Sequence, residues 1–269
     1  MTRGVPIGIV SIAGIALFAW PFIGSDLPAS TPAWTLSLAC IAALLLVEAG
    51  SRQLDARGLA LLAAIAAIDT ALRLAVVEGI GGFSPIFFLV LCAGFVFGPT
   101  YGFLAGALSI LVSAIAGAGV GPWVPYQVFA VGWVGVAAGI AGRGRHGMPG
   151  WRDVALLAAV GAVMGWAVGA LLDIQDWVPV YRGNPTLGWE PGIDPATAAV
   201  HFARFYLLTS LAYDTFRAAG NVIMVVALGA PVLAALSRFR ARLSFEVVTK
   251  SAWTAAPGAS SVLTRGAPR

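Results

Sequence analysis

Residues Gly94 to Gly139 read GFVFGPTYGFLAGALSILVSAIAGAGVGPWVPYQVFAVGWVGVAAG, and no charge occurs among them. One apolar segment stops at Gly98-Pro99-Thr100, and the next begins at Tyr101. A glycine-rich break, Gly117 to Pro122, leads into Trp123, Pro125, Tyr126 and Gln127 before a third apolar run. Exposed in water, so much contiguous apolar surface would aggregate. In a bilayer it reads as packed helices, joined by a tight turn at one end and an aromatic loop at the other.

The rest of the chain agrees. Of its 269 residues, 59% are hydrophobic and 10% charged, where a soluble domain carries about a quarter charged. The apolar runs are too long for the ~10-residue strands of a barrel and do not alternate, so the expected fold is an all-α polytopic transmembrane bundle. Its excess of arginine lies in short clusters between the runs, the pattern of membrane topology and not of nucleic-acid binding. Cys40 and Cys92 each sit inside an apolar run, as small hydrophobes would, with no metal-ligand spacing around them.

In order, Val5 to Ile23 and Trp34 to Val47 predict an N-terminal transmembrane hairpin. Its first run is long enough to be a retained span in preference to a signal peptide. Residues 1–56, ending in the basic segment Arg52 to Arg57, form this extension, and residues 57–242 a six-helix core. Residues 243–269, rich in Ala, Ser, Pro and Gly, read as a disordered cytoplasmic tail. The core spans begin with Gly58 to Val77, Pro85 to Phe97 (short for a crossing), Phe103 to Ala116 and Val124 to Ile140. Asp153 to Leu172 and Ala218 to Leu236 complete them. Asp173 to Ala199 reads as a long polar connection, and Thr197 to Thr215 as an amphipathic helix running unbroken into the last span. With about eight crossings, Arg3, Arg52/Arg57, Arg143/Arg145/Arg152 and Arg238/Arg240/Arg242 fall on one side. Both termini are therefore expected in the cytoplasm of a multi-pass cell-membrane protein.

Catalytic signatures are not what the sequence offers: it contains no Walker A sequence, HExxH or Gly-x-Ser-x-Gly. His146 and His201 are expected on opposite sides, so no metal or other cofactor is implied. Polar residues inside spans carry more information, because each is costly there. Asp69 and Arg73 share a helix face at i, i+4, either as an internal ion pair or as the wall of a cavity. Asp214, Arg217 and Asn221 share another at i, i+3, i+7, with Arg204 on preceding turns. With Trp123, Tyr126 and Gln127 these make the expected lining of one outward-facing small-molecule cavity. Small residues at Ala60/Ala64 and Ala63/Ala67 leave a flat stripe for close helix approach, and Gly161, Gly165 and Gly169 form a second edge.

From Gly58 to Leu236 the sequence resembles the substrate-binding (S) component of an energy-coupling factor transporter. The likeness rests on six helices, the Ala-x-x-x-Ala first core helix, the block from Gly94 onward, and the terminal TSLAYDTFRAAGN…GAPVLAALSRFR. The resemblance implies a six-helix bundle that binds a vitamin or related micronutrient from outside. It also implies that the first core helix, through Ala60, Ala63, Ala64 and Ala67, docks on a transmembrane coupling subunit joined to two cytoplasmic ATPases. The chain itself would be a transport subunit and not an enzyme. A long aromatic outer segment suggests a bulky ligand, for which a cobalamin-type compound is the leading example. The two N-terminal helices depart from the six-helix pattern. The competing reading is a polytopic membrane enzyme acting on a lipid or isoprenoid through Asp69, Asp173, Asp176 and Asp214; a third is a structural membrane protein without a ligand.

Overall fold

The computed structural model describes residues 4–24, 30–50, 55–75, 86–145 and 147–243. The expectations for Arg3, Arg52, the Glu78–Pro85 loop, His146 and the tail from Ser244 lie outside them. The helices are α1 (Val5–Gly24), α2 (Ser30–Gly50), α3 (Ala56–Ala75), α4 (Ile86–Phe97) and α5 (Pro99–Ser113). They continue as α6 (Val124–Ala141), α7 (Trp151–Val180), α8 (Pro195–Thr209) and α9 (Leu211–Leu243). No strand occurs among the described residues. Seven of these helices, all but α4 and α8, are long and apolar enough to cross a membrane. The architecture is an all-α polytopic bundle.

The opening stretch forms its centre. Gly98 alone separates α4 from α5; its φ of 98° reverses the chain in one residue, a conformation that favours glycine. Pro99 then starts α5, where its missing N–H costs nothing. Folded back in this way, α4 and α5 cross α6 at three glycines. A Cβ on Gly94, Gly102 or Gly135 would run into the backbone of the neighbouring helix, in each case at one of the other two glycines. Backbones that meet without side chains between them gain dispersion contact along their length, which is the main attraction between helices in lipid. At the far end, α5 gives way to a five-residue π-helical turn, Ala114–Ala118, and then to Gly119 at φ 95° before Trp123 leads into α6.

Because α4 has 12 residues, it spans ~18 Å, well short of the ~30 Å of a hydrocarbon core. It has no need to reach. Val90 to Ala93 are wholly buried, and α3, α5, α6, α7 and α9 surround it. Its ends are therefore enclosed by protein, which is where a helix shorter than the membrane is tolerated.

Two boundaries differ from the sequence reading. Helix α7 does not stop at Leu172 but continues to Val180, so Asp173 and Asp176 are helical and not part of a loop. The amphipathic helix and the last span are not one helix: α8 ends at Thr209, Ser210 departs from helical geometry with φ −122°, and α9 begins at Leu211. Asp194 caps α8 by accepting from the Thr197 N–H at 3.1 Å.

Candidate functional site: two polar seams at one end of the bundle

Helices α3 and α5 run parallel, with the Tyr101 hydroxyl at the start of α5 donating to the Gly58 carbonyl at the start of α3. Further along, two i, i+4 pairs face each other across the interface. Ser109 Oγ donates to Asp69 Oδ2 at 3.1 Å, and Arg73 Nη1 donates to Ser113 Oγ at 2.6 Å. Arg73 Nη2 also donates to Gln127 Oε1 on α6 at 3.2 Å. Asp69 and Arg73 thus do not pair with each other. Each takes a hydroxyl of α5 instead, and the arginine ties three helices together near their common end. Asp69 is wholly buried, and its Oδ1 has no hydrogen-bond partner.

The second seam joins α7 and α9, which are antiparallel, and here the glycine edge finds its purpose. Asn221 Nδ2 donates to the Gly161 carbonyl at 3.0 Å, and Arg217 to the Gly165 carbonyl at 3.4 Å. The Asp214 carboxylate fills the space over Gly169 that a Cβ would need. Side chains three, four and seven apart on α9 therefore seat in register on glycines four apart on α7. Asp214 and Arg217 form an ion pair, and the Arg217 guanidinium lies 5.0 Å from the centre of the Tyr213 ring. Asp214 and Asn221 are almost fully buried.

Half-exposed Tyr213 connects the seams, since it is also within electrostatic range of Arg73. Asp173 stands beside Ser210 and near Asp214, and Tyr206 of α8 lies next to Asp214. Burial, and then the Asp214 carboxylate, push the Tyr206 phenol up to about 12.

Of the residues expected to converge, Asp69, Arg73 and Gln127 meet in the first seam, and Asp214, Arg217 and Asn221 in the second. Trp123 lies at the same end with its ring partly exposed and folded over Gly121. Tyr126 does not join them. It is buried on the other side of α6, edge-on to Phe18 of α1 with ring centres 5.0 Å apart. A helix turns about 100° per residue, so neighbours Tyr126 and Gln127 serve different interfaces. Arg204 is exposed on α8 and takes part in neither seam. Ser109, Ser113 and Tyr213 were missed; the two serines carry the same four-residue spacing as Asp69 and Arg73, which is the signal that would have found them.

The expected alanine stripe is also in place. Ala60, Ala63, Ala64 and Ala67 are all exposed, while Leu62, Ile65, Ala66 and Asp69 turn inward.

The family model described as "ECF transporter, substrate-specific component" matches residues 58–229, most of the chain and nearly all of the bundle containing both seams. The chain belongs to this family. No curated protein and no solved structure matched it. This S component is a multi-pass membrane protein of a transporter, and that membership sets aside the reading as a lipid-processing enzyme. Its matched region covers α3 to most of α9, leaving α1 and α2 outside. Those two helices are nonetheless built into the bundle. Trp133 Nε1 of α6 donates to Ser11 Oγ of α1 at 3.2 Å, and Phe18 packs on both Tyr126 and Trp133. Phe22 meets Trp177 and Trp189 near the α7–α8 connection.

Proposed function

We propose that this S component captures a vitamin or related micronutrient outside the cell, at the end of the bundle where the two seams meet. The observation that supports this reading most is the Arg73–Ser113–Gln127 cluster. It places a guanidinium and an amide, neither fully buried, at the rim of three helices, with exposed Trp123 one turn before Gln127 on α6 and half-exposed Tyr213 within electrostatic range of Arg73. Aromatic walls with a few fixed polar groups are what a small-ligand site requires. Asp69, Asp214 and Asn221 hold the helices that carry these groups, and the ligand contacts fall to Arg73, Gln127, Trp123, Tyr213 and Arg217.

The exposed Ala60, Ala63, Ala64 and Ala67 face is the docking surface for the transmembrane coupling subunit, through which two cytoplasmic ATPases supply the energy. A flat small-residue face lets a second helix approach closely without disturbing the seam on the opposite side of α3. For the ligand, the vitamin class is as far as the residues support. Much of the aromatic material in the outer connection is taken up in contacts among Trp177, Tyr181, Trp189, Phe202 and Phe205 and with Phe22. A cobalamin-type compound is therefore one member of the panel to be tested.

The deciding experiment is affinity purification of the full chain from its native membrane, with mass spectrometry of retained small molecules and of co-purifying proteins. A retained vitamin-like compound together with a coupling subunit and ATPases is the expected result. A preparation that carries neither, and binds none of a vitamin panel when titrated, would refute the reading.

A further inference from the structure

At the opposite end of the bundle from the seams, a pocket of about 490 Å³ opens between the end of α4, the α6–α7 connection and the end of α9. Its cationic side consists of Arg145, Arg238 and Arg240, and among the described residues Asp153 is the one acidic residue in its lining. Arg145 is fixed from two directions, by Ala141 O at 3.3 Å and by Asp153 Oδ1 at 2.6 Å. Arg240 is fixed by the Val96 carbonyl in the last turn of α4, where the negative end of the helix dipole favours a cation. Arg238 is exposed and, among the described residues, forms no hydrogen bond or ion pair. Among the described residues, three guanidiniums against one carboxylate give the lining an excess of two positive charges. Each guanidinium carries five N–H donors, so most of them remain unused.

The other side of the pocket is apolar. Phe95, Val96, Met148 and Pro149 line it, and Met148 is 62% exposed. Trp151 stands next to it at 76% exposure, the position of an aromatic side chain at a membrane–water boundary. The apolar stretch of α9 gives way to arginines at this same level. Guanidiniums gathered on one side of a pocket, two of them anchored, suit a phosphate, and the adjoining apolar wall suits the first carbons of an acyl chain.

We propose that this pocket binds the phosphodiester headgroup of an anionic phospholipid. A zwitterionic lipid brings its own cation to a pocket already positive, and a free phosphate leaves the apolar wall uncovered. Charge and wall together therefore favour the anionic lipid. Bound there, it bridges three elements: the end of α4, the Gly147–Gly150 connection and the end of α9.

The test uses the full chain, delipidated in neutral detergent, with native mass spectrometry and thermal unfolding after addition of phosphatidylglycerol, phosphatidylcholine or inorganic phosphate. Phosphatidylglycerol is expected to give a discrete one-to-one adduct and a higher unfolding temperature, while the other two give neither. Arg238→Gln should lower phosphatidylglycerol affinity about fivefold. Arg57→Gln, an exposed charge at the same end outside the pocket, should leave it unchanged. Because Arg240→Gln removes a cap from α4 and is liable to unfold, Arg238, with no hydrogen-bond partner among the described residues, carries the comparison. Equal binding of phosphatidylcholine, or equal losses in Arg238→Gln and Arg57→Gln, would overturn the proposal. Stabilisation by inorganic phosphate alone would identify a free-anion site in place of a lipid site.

Discussion

Arg73 reaches Ser113 and Gln127 with two of its five N–H groups, and among the described residues its other donors at the rim of the bundle have no partner. A hydrogen bond to a charged group contributes about 1.5–3 kcal/mol, so Arg73→Ala should weaken ligand binding about ten- to a hundredfold in isothermal titration of the folded protein. Asp69→Ala should separate structure from binding. It leaves the buried Ser109 hydroxyl without its acceptor, at a cost of about 1–3 kcal/mol, and should lower the unfolding temperature while the dissociation constant stays put. If Arg73→Ala binds as the wild type does, the site lies elsewhere. Arg217 behaves differently again: its loss strands a buried Asp214 carboxylate, a cost of about 3–5 kcal/mol that should show first as poor recovery of folded protein. The charges themselves were legible in the sequence, because an ionisable residue inside an apolar run is conspicuous and its helical spacing gives the face. Their partners were not. Ser109 and Ser113 lie 40 residues from Asp69 and Arg73, and although their four-residue spacing puts them on one face of α5, it does not say which helix that face meets. The opposite orientations of Tyr126 and Gln127 depended on where α1 packs, which no single helix records.

Helices in this bundle meet through what they lack. Gly94, Gly102 and Gly135 put three backbones in contact, and Gly135→Ala inserts a methyl where the Gly102 carbonyl already sits. Overpacking of this kind costs about 1–3 kcal/mol or more, so the variant should unfold at a clearly lower temperature in detergent. Gly150→Ala, with open space around its Cβ position, is the matched control; equal stability of both variants would mean that the crossing yields freely. The alanine face of α3 makes a different prediction, because it is exposed. Ala64→Trp should leave fold and ligand binding intact and abolish recovery of the coupling subunit in pull-down. Retention of that subunit at wild-type levels would move the docking surface off this face. The alanine spacing on α3 was readable from sequence; the glycine crossing was not, because Gly94, Gly102 and Gly135 lie on three different helices and share no local spacing. The misplaced end of α7 has a related cause. Asp173 and Asp176 looked like loop residues by polarity, whereas packing against α8 and α9 holds them in a helix beyond the apolar run.

The whole molecule is polarised. One end carries the two seams, Trp123 and the aromatic α7–α8 connection, and the other Arg143, Arg145, Arg152, Arg238, Arg240 and Arg242. The helical bundle and its two-ended character followed from composition, because long charge-free runs and arginine clusters between them are constraints of the bilayer itself. The orientation of that axis is a prediction that can be argued from the same charges. Arginines in short loops are retained on the cytoplasmic side during insertion, so the arginine-rich end should face inward and the seams outward. A ligand taken from outside then meets Arg73 and Tyr213 first. The alanine face runs along α3 from the inner end, within reach of a coupling subunit bound to ATPases. Single cysteines test this in intact cells with a membrane-impermeant maleimide. Cys92 is buried, and half-buried Cys40 is first replaced by Ala. Pro185→Cys in the outer connection and Arg143→Cys in the α6–α7 connection are both exposed positions clear of either seam. The first should label before lysis and the second only after it. The reverse pattern would turn the protein over, place the seams in the cytoplasm, and remove the basis for reading them as an uptake site.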